Sequence, residues 1–300
     1  MKILLFGKGG QVGWELQRSL GPLGEIIALD HDSKELCGDF TNLKGIAETI
    51  NTVKPDVIVN AAAHTAVDKA ESEPDLVRTI NALTPGVLAQ EAKRANAWLI
   101  HYSTDYVFNG GGDTPWRETD NTSPLNAYGA TKLEGEQLIQ QSGCRHLIFR
   151  TSWVYGARGG NFAKTMLKLA QERDTLKVIN DQIGAPTGAD LLADVTAHAI
   201  QKARQSPDVS GLYHLVAAGE TSWHGYASYV LDFAQRAGVK LKVTPEGIVP
   251  VPTSAFQTPA KRPHNSRINT EKLRSAFGLH LPDWKIGVER MLTEILESRR

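Results

Sequence analysis

Two cysteines in a chain of 300 residues, Cys37 and Cys144, are too few for a disulfide framework and stand in no metal-ligand spacing. They read as buried thiols of a reducing, cytoplasmic compartment. Charge of one sign is equally scarce. The 33 basic residues balance 33 acidic ones, and no long run of either occurs. A nucleic-acid-binding protein normally carries a basic patch, so that class is disfavoured. The apolar stretch Ile3–Phe6 is too short for a signal-peptide core, and no run approaches membrane-spanning length. The nine histidines show no paired ligand spacing, and repeats and low-complexity tracts are missing. Any anionic ligand must therefore be held locally, by backbone amides and a few placed cations.

What is present is an ordinary soluble composition, 41% apolar, long enough for one large α/β domain with a smaller companion. The first ligand signal comes at once. Residues 2–6 read as a buried strand, and Gly7-Lys8-Gly9-Gly10-Gln11-Val12-Gly13 follows with both G-x-G and G-x-x-G-x-x-G spacing. Val12, Leu16 and Leu20 then recur at helical spacing, Gly21 to Gly24 break the helix, and residues 25–29 form a second strand ending at Asp30. Strand, glycine loop, helix, strand and acid together are the context of a dinucleotide site. The glycines Gly7 and Gly10 admit a pyrophosphate to the backbone, the helix N-terminus meets its charge, and Asp30 accepts from the adenosine ribose.

Gly38-Asp39-Phe40 reads as a third short strand, and a helix through Ile46, Ile50 and Val53 leads to a fourth at 57–59. That strand ends in Asn60-Ala61-Ala62-Ala63, where small residues suit either a flat ligand or plain helix–sheet packing. A helical pattern over 75–96, kinked by Pro85, precedes a fifth strand at 98–102. Ser103, Thr104 and Asp105 thus fall at a strand's carboxyl end, where ligands bind in such sheets. A helix from Asn126 carries Tyr128 and Lys132 one turn apart, on one face. A free tyrosine has a pKa of about 10, and a neighbouring ammonium favours its phenolate, which predicts a proton donor usable near neutrality. An ordinary amphipathic helix would carry the same pair. A sixth strand at 147–150 leads to Trp153, either a rim of the core or a ligand platform.

Beyond it the spacing predicts helices near 161–172, 189–204, 222–237, 270–277 and 284–297, with strands at 176–179 and 212–215. Residues 244–266 hold five prolines and little regularity. The expected architecture is a Rossmann-type, doubly wound parallel sheet with a smaller mixed C-terminal lobe. Its dinucleotide-binding domain covers 1–155, with 188–217 returning to it; 156–187 and 218–300 form the substrate lobe.

The glycine loop, Asn60 to Ala63, Ser103-Thr104-Asp105-Tyr106-Val107-Phe108 and Tyr128-x-x-x-Lys132 together resemble the extended short-chain dehydrogenase/reductases. The blocks 103–110, 150–156, 181–187 and 262–266 are similar to those of the dTDP-4-dehydrorhamnose reductases within that superfamily. The likeness runs over nearly the whole chain and is weakest in the last thirty or so residues.

The resemblance implies reduction of a 4-keto nucleotide sugar by NADH or NADPH, in a pathway that feeds cell-surface polysaccharide such as O-antigen. It implies Thr104, Tyr128 and Lys132 as the catalytic set. It places Asp105, Trp153, Gln182 and Arg262 at the substrate, and Gly10, Gln11, Val12, Asp30, Asp39, Phe40, Ala62, Ala63 and His64 at the cofactor. It also implies a homodimer assisted by Mg²⁺, for which the residues show no ligand set. Three rivals share the fold. A dehydratase would place Asp-Glu after the threonine, whereas Asp105-Tyr106 stands here. An epimerase uses the same tyrosine and lysine but keeps its cofactor through turnover. A non-catalytic regulatory subunit would bind cofactor and turn nothing over.

Overall fold

A computed structural model describes residues 1–297. Its centre is a six-stranded sheet of β1 (Lys2–Phe6), β2 (Glu25–Leu29), β3 (Val57–Asn60), β4 (Trp98–Thr104), β5 (Arg145–Thr151) and β6 (Gly211–His214). The strand order is β6-β5-β4-β3-β1-β2, and every neighbouring pair is parallel. A parallel sheet is covered on both faces, which explains why its strands are continuously apolar rather than alternating. Ile3, Leu5, Val57, Val59 and Ile100 pack with Leu16, Leu20, Leu192 and Ile200 on one side. Leu4, Phe6, Ile58, Leu99 and Ile148 pack with Ile46, Ile50, Leu88 and Ile139 on the other. The chain leaves β1 for β2 on one side and returns to β3 on the other, so the crevice beyond β1 and β3 is the topological switch point.

Residues 38–40 are not a strand. Asp39 Oδ1 accepts from both the backbone N–H and the hydroxyl of Thr41, at 2.9 and 2.8 Å, and this local turn competes with extended pairing. Phe40 anchors the loop by an edge-on contact with Phe6, 5.4 Å between ring centres. Its apolar character serves the core without a ladder, and β2 is the edge of the sheet. The helix carrying Pro85 runs as Pro74–Arg78, a widened π turn at Thr79–Leu83, and Thr84–Arg94. The wide turn lies where the proline ring would otherwise meet the carbonyl of the preceding turn.

A second core forms around Tyr155, Met166, Val178, Tyr226, Val230, Trp284 and Val288. Within it Leu176–Ile179 pairs with Ile248–Val251, so the proline-rich segment does contribute one short strand.

The helix Ala127–Ser142 is fastened to the sheet by charge. Glu136 and Arg150, 1% and 4% exposed, meet through Nε–Oε1 at 2.9 Å and Nη2–Oε2 at 2.6 Å. Ser103 on β4 donates to the same carboxylate, and the guanidinium lies 5.0 Å from the Phe108 ring centre. Breaking such a buried pair strands one charge in the interior. Arg150→Met should therefore cost about 3–5 kcal/mol in urea unfolding, and Glu136→Leu added to it should recover most of that loss. Two additive losses would show that the pair is not coupled.

Candidate active site

The glycine loop is shaped by how closely chain segments approach. Gly7 has φ +84°, and a side chain there would reach within 2.7 Å of the Ala61 carbonyl carbon and Ala62 nitrogen, past the end of β3. A Cβ on Gly13 would sit 1.9 Å from Gly7 O. Only glycine allows the turn and the helix to pack this tightly. The helix Gln11–Leu20 that follows has Gly10 at its N-cap and no side chain closing it. Its first-turn amides are available to an anion such as a pyrophosphate. The Asp30 carboxylate accepts from Gly9 N–H at 3.0 Å, which holds it beside the loop. These residues fit a dinucleotide.

A cavity of ≈ 470 Å³ opens beyond the glycine loop and the ends of β3 and β4. Thr104, Asp105, Tyr128 and Lys132 line it, with Gly10, Gln11, Val12, Ala63 and Trp153 around them. Thr104 closes β4, where its hydroxyl accepts from Tyr106 N–H at 3.1 Å and donates to Asp105 Oδ1 at 3.2 Å. Tyr128 lines the same cavity beside Thr104. Tyr128 enters from the first turn of its helix, whose N-cap Asn126 accepts from Gly129 N–H at 2.8 Å. The Tyr106 ring braces that of Tyr128 edge-on, 5.7 Å between centres.

Tyr128 and Lys132 do share a face, but the lysine does not acidify the phenol. Burial pushes Tyr128 up to about 12, with the neighbouring Thr104 hydroxyl opposing the rise and the Asp105 charge adding to it. Lys132 Nζ instead donates to the Tyr102 carbonyl at 2.6 Å and lies 3.2 Å from His101 Nε2. Burial brings its pKa down to about 8, opposed by the charge of Glu136. The backbone carbonyl at the floor of the site competes for the ammonium, which the spacing of the two residues does not reveal.

Trp153 stands at φ +50° and stacks on Trp223, 3.7 Å between centres, so both indoles wall the cavity. Trp223 begins a helix of the second core, and no periodicity of its own segment points to the cavity. The hydroxyls of Thr151 and Ser152 are buried without partners and line the same space. A strand end flanked by two hydroxyls was the one available signal for them.

Other expected residues do not line that cavity. Asp39 and Phe40 belong to the turn beyond β2, and the Ala62 N–H is spent on Asn60 Oδ1 at 3.0 Å. His64 exchanges backbone hydrogen bonds with the Asn81 amide. Gln182 bonds Thr253 and Trp223, at 3.1 and 3.0 Å, behind the tryptophan wall. Arg262 is taken by Asp68 through Nη2–Oδ2 at 2.7 Å and Nη1–Oδ1 at 3.1 Å. Neither of these two lines the cavity.

A Rossmann-type sheet with a glycine cradle and a Thr–Tyr–Lys cluster at its switch point defines an extended short-chain dehydrogenase/reductase. The family model described as the RmlD substrate binding domain matches residues 1–297. The dTDP-4-dehydrorhamnose reductase of Salmonella typhimurium is 64% identical over 298 residues, covering 99% of each chain. The chain belongs to the dTDP-4-dehydrorhamnose reductase family. Among solved structures, a dTDP-4-dehydrorhamnose reductase from Clostridium acetobutylicum superposes with a TM-score of 0.87 at 37% identity, covering 99% of this chain and 100% of that one. The Bacillus anthracis enzyme, solved in complex with NADP, gives 0.85 at 35% identity, covering 98% and 99%.

Asp105 supplies a test of the cavity's dryness. It is 3% exposed, one carboxylate oxygen has no partner, and burial raises its pKa from 3.8 to about 7. A raised carboxyl pKa means that the folded state binds a proton the unfolded state has lost, so this stability is lost as pH rises. Asp105→Asn should accordingly gain stability over the wild type between about pH 4 and pH 7, with a constant difference above that. Unfolding curves whose difference does not vary over this range would mean that water reaches the carboxyl.

Proposed function

We propose that this protein reduces the 4-keto group of dTDP-4-dehydro-L-rhamnose to dTDP-L-rhamnose with hydride from NADH or NADPH, the last step of dTDP-rhamnose synthesis. The observation that carries this reading is that Thr104, Tyr128 and Lys132 line one cavity together with Gly10 to Val12 of the glycine cradle. A bound nicotinamide would supply the hydride for the sugar carbon. Gly10 to Val12 would hold the pyrophosphate with backbone amides, and Asp30 would take the adenosine ribose. As charge develops on the carbonyl oxygen, Tyr128 gives it a proton and Thr104 steadies it with a hydrogen bond. Lys132 would orient the nicotinamide ribose of a bound cofactor and takes part in restoring the proton to Tyr128. The Trp153–Trp223 wall and Asp105 shape the place for the sugar.

The protein works as a cytoplasmic homodimer on this reading. Among the described residues no helix is long and apolar enough to cross a membrane. No group of three or more His, Cys, Asp or Glu side chains among them could hold a metal, so the implied magnesium is given no step.

Tyr128→Phe should leave cofactor affinity nearly intact and lower turnover by roughly 100-fold or more, the scale of a lost positioned acid. Loss of NAD(P)H absorbance with the keto-sugar nucleotide as substrate reads this directly. Wild-type turnover by the variant would take the proton-donor role away from Tyr128, and an inactive wild type would favour a regulatory role.

Cofactor choice is tested at Asp30. An acid beside the ribose resists a 2′-phosphate, and the nearby Lys8, His31 and Lys34 offer no planar fork to bind one. Both cofactors should work, with NADH at least as good as NADPH. Asp30→Ala should raise kcat/KM for NADPH relative to NADH, and an unmoved ratio would place Asp30 away from the 2′ position.

A further inference from the structure

Beneath the cavity, a short series of hydrogen bonds fixes which nitrogen of His101 carries the proton. Asn60 Oδ1 accepts the Ala62 N–H at 3.0 Å, so the amide nitrogen is the atom facing His101 Nδ1, also at 3.0 Å. An amide NH₂ can only donate. Nδ1 therefore accepts, and a neutral imidazole then carries its single hydrogen on Nε2. That hydrogen points at Lys132 Nζ, 3.2 Å away, while Nζ donates to Tyr102 O at 2.6 Å. An ammonium has three hydrogens and no lone pair, so it would set donor against donor at His101. A free amine resolves the conflict, because it accepts from Nε2–H and still donates to the carbonyl.

The ring cannot adapt by taking a second proton. His101 is 1% exposed, and burial, then the charges of Lys132 and His146, hold its pKa well below the usual value. The other groups facing Lys132 do not undo the arrangement. On its own helix stand Tyr128, a weak acid in this site, and Glu136, whose carboxylate is engaged by Arg150 from β5 and Ser103 from β4. Asp105 lies past the end of β4, where burial favours its neutral form.

We propose that His101, its tautomer set by Asn60, is a positioning residue that loosens the hold of Lys132 on its proton. Lys132 then exchanges a proton near neutral pH instead of standing as a permanent cation. In the reduction proposed above, on which this consequence rests, Tyr128 passes its proton to the sugar oxygen. The ammonium of Lys132 returns one to the phenolate, and a solvent proton recharges the amine. A more acidic ammonium returns the proton to the phenolate with a larger driving force.

Two measurements on the free wild-type protein test the hydrogen-bond assignment without any turnover. In ¹⁵N-histidine spectra, His101 should show a bare Nδ1 and a protonated Nε2; the opposite tautomer overturns the proposal. In ¹³Cε-lysine spectra, Lys132 should titrate near 8, and titration in the ordinary lysine range overturns it as well. His101→Gln, whose side-chain carbonyl can accept from the ammonium, should raise that titration by about one pH unit or more, and move the alkaline limb of kcat upward with it. A folded H101Q protein in which neither moves would assign the loosened proton to burial alone. Should that variant fail to fold, the two wild-type spectra decide. An unreactive wild type with the expected spectra would defeat the reductase reading and leave this assignment standing.

Discussion

The buried carboxylate of Glu136 is the point from which the active site is measured. Tyr128, Lys132 and Glu136 lie at successive four-residue steps on one face of a single helix, so pinning one sets the rotation and height of the others. Glu136 is pinned from two strands at once, by Ser103 on β4 and Arg150 on β5. A buried ion pair adds little net stability compared with apolar packing, because both charges must be desolvated. What it supplies here is register. Leucines at these positions would hold the helix against the sheet but would let it turn or slide. Asn126 does the same at the other end, capping the helix while its amide nitrogen donates to Lys261 O at 2.7 Å.

That register sets Tyr128 and Lys132 beside Asp105 in one buried site, and burial acts on each in the direction that removes its charge. It raises Asp105 to about 7, raises Tyr128 to about 12 and lowers Lys132 to about 8. The first sense of the lysine–tyrosine motif, a cation lowering a phenol, is therefore not how the ligand-free site is built. A site that disfavours its own charges suits a reaction in which hydride and proton arrive at one carbonyl. The proton donor stays neutral until charge develops on the substrate, and the fixed dipoles around it need little reorganisation.

The local chemistry of this site was largely legible before the fold was. The glycine loop, the acid after β2, the hydroxyl at the end of β4 and the Tyr–Lys spacing are all short-range patterns, each with a mechanism attached. Six of the expected strands form the main sheet, because a two-sided sheet demands continuous apolar runs and these stand out. Residues 38–40 misled for the same reason: Phe40 is apolar and follows a helix break, yet an aspartate turn holds it out of the ladder. Trp223, Glu136 and His101 were hidden, because their roles depend on partners in other elements. Trp223 matters through Trp153, Glu136 through Arg150, and His101 through Asn60 and Lys132. Gln182 and Arg262 stand in visible motifs, and in the structure their side chains bond Thr253 and Trp223 in the one case and Asp68 in the other.

Those two residues explain how a proline-rich stretch without regular pattern is held over the site. Five prolines in 244–266 limit the conformations of the free segment, which lowers the entropy lost on ordering it. Polar fasteners then hold it. Thr253 donates through its N–H and hydroxyl to Asp181, and Gln182 bonds the same threonine. Farther on, Arg262 reaches across to Asp68, and Asn265 N–H donates to Gly110 O at 3.0 Å. Ser266 then stands beside Asp105 and opposes the rise in its pKa. The same segment that closes the second lobe thus ends on a carboxyl of the cavity. The surroundings of Asp105, whose burial raises its pKa, include this segment as well as the sheet beneath.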